Sequence, residues 1–242
     1  MKVVDIHSHI LPGVDDGAKD LEMSLALLEE MKKQGINDVI ATPHFDAQYD
    51  NMEDFNENVK NAKIQLFDAV EDKNLPQIHI GAEVYYFKGI GKSYGAKNLT
   101  LANSKYILLE LPRHPFDDDL IKDIQNLYDV VGLTPILAHI ERYAGEKGFK
   151  KVLKLIDSGV ALAQINAPSV FTPPFKRVVS KLIKKGYVSF IATDSHSIES
   201  RPPMLEKALE EVEKQFGGHQ KRVFLRNYDK LYHEILGKGF DL

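Results

Sequence analysis

The sequence predicts an α/β fold: a parallel sheet of seven strands, separated by helices and curled into a TIM-like barrel, with its functional site at the C-terminal ends of the strands. Three observations lead there. Short β-branched or apolar runs alternate with longer stretches of helical periodicity, the pattern of repeated strand–helix units. Each run is apolar enough to be covered on both faces, as strands of a parallel sheet are. Chemistry-bearing residues follow nearly every run, whereas an open doubly wound sheet would gather them at one switch point.

The first strand is expected at 3–7 and the others at 38–42, 77–82, 106–111, 134–138, 160–165 and 188–192. After the first, Leu21, Leu25, Leu28 and Met31 recur at helical spacing, with Asp20 placed to cap the start and Gly35 to stop the end. Val59, Ala62, Leu66 and Val70 mark a helix after the second strand, and Leu120, Ile124, Leu127 and Val131 one after the fourth. Val152, Leu155 and Ile156 precede Gly159, and Val178, Val179, Leu182 and Ile183 precede Gly186, giving two more helices with glycine stops. No Gly/Ser/Pro-rich linker, charge block or fixed repeat interrupts the alternation, so residues 1–242 are expected to form one domain.

Composition narrows the chemistry. A chain of 242 residues that is 43% hydrophobic and 27% charged has the makeup of a globular enzyme with a sizeable core. Its formal net charge of -4 is too mild for nucleic-acid binding through bulk electrostatics, so an anionic ligand must be attracted locally. Cysteine is absent, which removes disulfides, zinc–thiolate sites and thiol nucleophiles. Lys2 and Asp5 interrupt the start, so no cleavable signal peptide is expected, and no apolar run approaches the ~18 residues of a membrane span. These features predict a soluble cytoplasmic protein without membrane insertion.

The first strand leads into His7 and His9, two residues apart on the same side, where they can share a cation. Such a pair alone is weak evidence, but the feature recurs. "DVIATPH" ends at His44 and "IHIGAE" at Glu83, "YILLEL" carries Glu110, "TPILAHIER" carries His139 and Arg142, and "VSFIATDSH" carries Asp194 and His196. A glutamate such as Glu110 inside an apolar run is costly unless it is paired or binds a metal. A salt bridge explains any one of these carboxylates but not the set, because imidazoles outnumber nearby cations. With an aspartate of "GVDDG", Asp15 or Asp16, the donors number nine, too many for one ion, and two or three metals are implied. Nitrogen and oxygen donors without sulfur suit Mn²⁺, Fe²⁺ or Zn²⁺. Asp5 alternates onto the side of His7, where it either orients that imidazole or is simply a polar residue at the barrel's rim.

"DIHSHILPGVDDG", "ATPHF", "GAEVYY", "ILLEL", "LAHIERY" and "ATDSHS", in this order over most of the chain, resemble the PHP (polymerase and histidinol phosphatase) superfamily. Within it they are similar to the bacterial manganese-dependent tyrosine-protein phosphatases of capsule and exopolysaccharide regulation. The resemblance implies a distorted (β/α)7 barrel, the PHP fold, with a trinuclear metal centre. Carried over position by position, it implies His7, His9, Asp16, His44, Glu83, Glu110, His139, Asp194 and His196 as metal ligands, choosing Asp16 over Asp15. Arg142 and Arg201 fall on the positions of the phosphate-binding arginines. The implied cofactor is manganese, two or three ions, with iron, zinc or magnesium as alternatives. The implied partner is a phosphotyrosine protein, an autophosphorylating bacterial tyrosine kinase of polysaccharide synthesis, and no oligomeric state is implied.

The reaction expected of such a site is direct attack of a metal-bridging hydroxide on the phosphorus of phosphotyrosine. A histidinol-phosphate or other small phosphomonoester phosphatase is the nearest alternative. A non-catalytic, metal-dependent interaction module is another, against which the complete set of ligands and arginines argues. "GIGKS" at 89–93 ends like a phosphate-binding loop, but Tyr86 stands where that template needs its first glycine, so a flexible surface loop is expected. His79, His114, His219 and His233 are expected to be structural or surface residues, with His114 bordering the cleft. Lys221, Arg222, Arg226 and Lys230 are expected to form a solvated helix face.

Overall fold

A computed structural model describes residues 1–236; residues 237–242 of the expected domain lie outside the described residues. The described residues form nine short strands: β1 (Val4–Ser8), β2 (Asp38–Ala41), β3 (His44–Phe45), β4 (Gln77–Ile80), β5 (Glu83–Tyr85), β6 (Tyr106–Glu110), β7 (Thr134–Leu137), β8 (Leu162–Asn166) and β9 (Phe190–Ala192). They correspond to the seven expected, because two of those are broken. Pro43, which has no N–H for a ladder, separates β2 from β3. Gly81 and Ala82 separate β4 from β5, and a Cβ at Gly81 would lie 2.8 Å from Leu101 Cδ2, so only glycine fits where the chain bends.

These strands pair in parallel, in the orders β1-β2-β4 and β3-β5-β6-β7-β8-β9. The two sets are joined through the breaks, where Gly81 N donates to Ala41 O and Glu83 N to Pro43 O. The curled sheet returns on itself: Asp194 N donates to His7 O at 2.9 Å and His9 N to Ser195 O at 2.9 Å, with a parallel bridge between Ser8 and Ser195. The closure is made beyond the end of β9, which is why the barrel is distorted. β1, β2 and β9 are buried along their whole length, as expected of strands with a filled barrel on one face and helices on the other.

The helices are α1 (Leu21–Lys33), α2 (Met52–Val70), α3 (Asp118–Asn126), α4 (Phe149–Asp157), α5 (Lys176–Lys184), α6 (Leu205–Phe216) and α7 (Gly218–Leu231). Asp20 caps α1 by accepting from Met23 N at 2.9 Å, and Gly35 ends it at φ 73. α3 stops at Asn126, and the expected continuation through Leu127 and Val131 is a wider π-helical turn. The start of β8 is later than expected because Val160 N and Ala161 N both turn back to Leu155 O at the end of α4. "GIGKS" is not a surface loop: Ile90 is fully buried in a short 3-10 turn, and a Cβ at Gly91 would meet Asp123 O at 2.5 Å on α3.

α6 and α7 pack beside β9. Arg222, Arg226 and Lys230 lie on the exposed side of α7, while Phe224, Tyr228 and Leu231 face inward. The Tyr228 hydroxyl donates to Ile191 O at 2.6 Å and accepts from Ile191 N at 3.3 Å, holding β9 in place. Tyr228→Phe leaves both groups unpaired in the core, so a destabilisation of about 1–3 kcal/mol is expected in denaturant titration. Among the described residues no helix is long and apolar enough to cross a membrane.

Candidate metal centre

The C-terminal ends of the strands bring their polar residues to one rim. His7 is on β1 and His9 just beyond it, and the β3–β5 and β5–β6 registers set His44 beside Glu83 and Glu110 beside Tyr85. His139 follows β7 and Asp194 follows β9, at φ 31 and φ 51 respectively. Left-handed backbone at residues other than glycine costs about 1–3 kcal/mol each, and here it turns two donors into the site. Gly17 lets the "GVDDG" turn lie against His9, where any Cβ would meet His9 O at 2.2 Å.

Hydrogen bonds on the outer nitrogens decide what the imidazoles present inward. Gln164 Oε1 accepts from His139 N at 2.8 Å, so it is an acceptor for His7 Nδ1 at 3.2 Å as well. Asp15 Oδ2 accepts from His9 Nδ1 at 2.7 Å, and the Asp194 carbonyl from His196 Nδ1 at 3.1 Å. With Nδ1 donating in all three, the neutral rings turn bare Nε2 lone pairs into the cluster. His7 and His9 Nε2 are 3.2 Å apart, His7 Nε2 is 3.1 Å from Glu83 Oε2 and 3.4 Å from Asp194 Oδ1, so acceptor faces acceptor across the cluster. His196 Nε2 is buried with no hydrogen-bond partner among the described residues, 3.3 Å from Asp16 Oδ1.

Glu83 is the hub. Its Oε2 lies 3.0 Å from His44 Nδ1 and 3.4 Å from His9 Nε2, and its Oε1 lies 3.0 Å from His139 Nε2. Three groups have donor atoms within 4.8 Å of one another: His9, Asp16, His44 and His196; His7, His9 and Asp194; and His44, Glu83 and Glu110. These take in eight of the nine expected ligands. His139 joins none of them, although its Nε2 approaches Glu110 Oε1 to 3.6 Å and its Nδ1 is 3.2 Å from the Tyr143 hydroxyl. Arg142 and Arg201 meet on one atom, with Nη2 at 2.8 and 2.6 Å from Asp194 Oδ2.

The electrostatics call for positive charge. Burial pulls the His7 imidazole down, but Glu83 and Asp194 outweigh it and hold its pKa above the ordinary value. His9 is held well above it, burial being overcome by hydrogen bonds to Asp15, Asp194 and Glu83. Against their burial, Glu83 and Asp194 are pushed well below the carboxylate range, with the charge of His7 leading in both. Burial and the Glu83 charge raise Glu110 to about 7, and burial, helped by His9 and Arg201, lowers His196 to about 4. With protons as the only counter-ions, the cluster draws them onto His7 and His9. A divalent cation satisfies the same field, and the donors, all imidazole or carboxylate, suit it.

One of the two readings of Asp5 falls away. Asp5 does not touch the His7 ring; its oxygens accept from Thr193 N at 2.9 Å and Thr193 Oγ1 at 2.5 Å, and Gln164 holds His7 instead. His114 is a surface residue, as expected, its Nδ1 engaged with Pro115 O. The sequence reading missed Gln164 and Asn166 on β8, the strand that answers to the one expected run without a candidate ligand; polar amides two apart in "ALAQIN" were the available signal. Asp15 and Asp16 divide their work: Asp15 holds the ring of His9 and the backbone N of His44, while Asp16 reaches His44 and His196.

A parallel barrel carrying sulfur-free imidazoles and carboxylates at its C-terminal rim has the architecture of a metal-dependent hydrolase. The family model "Capsular polysaccharide synthesis, CpsB/CapC" matches residues 3–233, and the chain belongs to this family. It is 33% identical to the tyrosine-protein phosphatase CpsB of Streptococcus pneumoniae, over 97% of this chain and 100% of that protein. It superposes with TM-score 0.83 and 27% identity on a crystal structure from work on YwqE of Bacillus subtilis and CpsB of S. pneumoniae, described as metal-dependent tyrosine phosphatases, covering 96% and 95% of the two chains. The fold also matches a histidinol phosphate phosphatase of Lactococcus lactis at TM-score 0.56 and 16% identity, over 88% of this chain and 93% of that one.

Proposed function

We propose that the chain is a cytoplasmic, metal-dependent protein-tyrosine phosphatase in which residues 1–242 act as one domain, manganese is the cofactor, and the substrate is a bacterial tyrosine kinase of polysaccharide synthesis. The observation that carries this reading is the convergence of buried imidazole lone pairs and carboxylates beside two arginines that meet on Asp194. The nine expected ligands are its metal set, with Arg142 and Arg201 binding phosphate. When bound, the ions supply Lewis acidity toward phosphate and lower the pKa of water to the neutral range.

The chain's own residues do the rest. Arg142 and Arg201 sit together at the rim, ready to grip non-bridging phosphate oxygens by charge-assisted hydrogen bonds. His7, His9 and His196 keep their lone pairs inward because their Nδ1 protons are committed elsewhere. The leaving phenolate, whose conjugate acid has a pKa of about 10, departs without a dedicated acid. No thiol exists in the chain to form a phosphocysteine.

An open mouth favours a protein-borne substrate over a small metabolite: the side chains of Asp16, His44 and Arg201 are 68%, 40% and 39% exposed. The test is phosphate release from a phosphotyrosyl peptide and from histidinol phosphate by manganese-restored protein. Preference for the peptide is expected; preference for histidinol phosphate would move the function to small-molecule metabolism.

A further inference from the structure

The amides of β8 form a chain with a direction. His139 N can only donate, so the atom it meets on Gln164 at 2.8 Å is the carbonyl oxygen Oε1. Gln164 Nε2 therefore points the other way and donates to Asn166 Oδ1 at 2.9 Å. Asn166 Nδ2 is then left to donate to Asp194 Oδ2. Gln164 is fully buried and Asn166 nearly so, and each sits between groups that leave it one orientation. A single backbone N–H thus settles both ends of the chain. At one end an acceptor faces His7 Nδ1 at 3.2 Å, and at the other a donor faces Asp194 Oδ2.

We propose that Gln164 and Asn166 are positioning residues for the metal centre: Gln164 commits the proton of His7 to Nδ1, and Asn166 joins Arg142 and Arg201 in engaging Asp194 Oδ2, so that Oδ1 stays turned toward His7 and His9. This inference rests on the metal-dependent reading of the site. Its two halves act on different ligands, both among the side chains whose donor atoms cluster with His9. Without the Gln164 acceptor the His7 ring gains nothing from carrying its proton on Nδ1, and the tautomer protonated on Nε2 turns an N–H toward the cation position. Glutamate at 164 keeps an acceptor for His7 and His139 but removes the donor to Asn166. That separates the His7 end of the chain from the Asp194 end.

The experiment is competition between the metal-stripped full chain and a fluorescent chelator for Mn²⁺, with melting of each stripped variant as the check on folding. Removing an outer partner of a ligating histidine weakens metal binding by about 10–100-fold. Gln164→Leu is expected to raise the Mn²⁺ dissociation constant by that factor, Gln164→Glu by clearly less, and the conservative variant thereby rescues the His7 end. Asn166→Asp, which sets a carboxylate against Asp194 Oδ2, is the second variant should leucine disturb the core, and it is expected to alter Mn²⁺ affinity while melting like the parent. Parent-like affinity in folded Gln164→Leu and Asn166→Asp overturns the inference and leaves the metal centre standing. A parent chain that binds no Mn²⁺ in the same titration overturns the metal reading and this inference together.

Discussion

Glu83→Gln is expected to lower phosphotyrosine turnover by about 10³-fold or more, equivalent to ~4 kcal/mol of transition-state stabilisation. Among the described residues no other carboxylate reaches as many imidazoles: Glu83 lies within 3.0–3.4 Å of His7, His9, His44 and His139. Glutamine keeps the size and one acceptor oxygen but removes the charge on which the cluster depends. The same substitution lets an amide N–H occupy the imidazole lone pairs and takes away a negative charge that would hold a cation among them. The change is confined to charge, so the variant should fold, which melting of the protein will check. Turnover within about tenfold of the parent, in a folded variant, would mean that Glu83 serves only to pair histidines.

Stripping the metal is expected to lower the melting temperature, by an amount that grows as the pH rises. Occupancy at a hundred times the dissociation constant stabilises by about 2.7 kcal/mol, which for a chain of this size corresponds to about 5–10 °C. The pH dependence follows from His7 and His9. Both have folded pKa values above the ordinary imidazole value, so their contribution to the stability of the stripped protein is complete below the unfolded value. It is lost as the pH rises through the raised folded values. The loaded protein moves the opposite way, because a cation must displace those protons and binds more tightly as they leave. Asp15, lowered to about 2 despite burial by its bond to His9, loses its contribution only when the pH falls through that value, well outside this window. The loaded and stripped proteins should therefore melt closest together in mild acid and furthest apart above neutral pH. Equal melting temperatures across that range, read by scanning calorimetry, would show that the cluster is stable without ions.

The fold and the convergence of the candidate residues on one rim were legible for related reasons. In a parallel barrel each strand is an apolar run, and a charged residue at its end stands out against that run; Glu110 and Asp194 are cases. His7 and His9 were visible because alternation along β1 puts them on one side. The breaks after Ala41 and Ile80 were not, since pairing across Pro43 and Gly81 is supplied by neighbouring strands rather than by the broken segment. The role of Asp5 stayed open because alternation gives a side but not a partner, and Thr193 from the far end of the chain reaches it. Gln164 and Asn166 were passed over because a neutral amide costs less to bury than a charge and so stands out less in an apolar run. The choice between Asp15 and Asp16 depended on how a tight glycine-flanked turn presents two adjacent carboxylates, which composition and spacing do not encode.

The most direct measurement is phosphate release from a phosphotyrosyl peptide by chelator-stripped protein titrated with Mn²⁺, with bound metal counted in the same samples. The expected result is negligible turnover in the stripped protein and recovery that rises with Mn²⁺ to a plateau at two or three ions per chain, since the donors form overlapping groups around His9 and His44. Full turnover by protein shown to hold no metal would contradict the account.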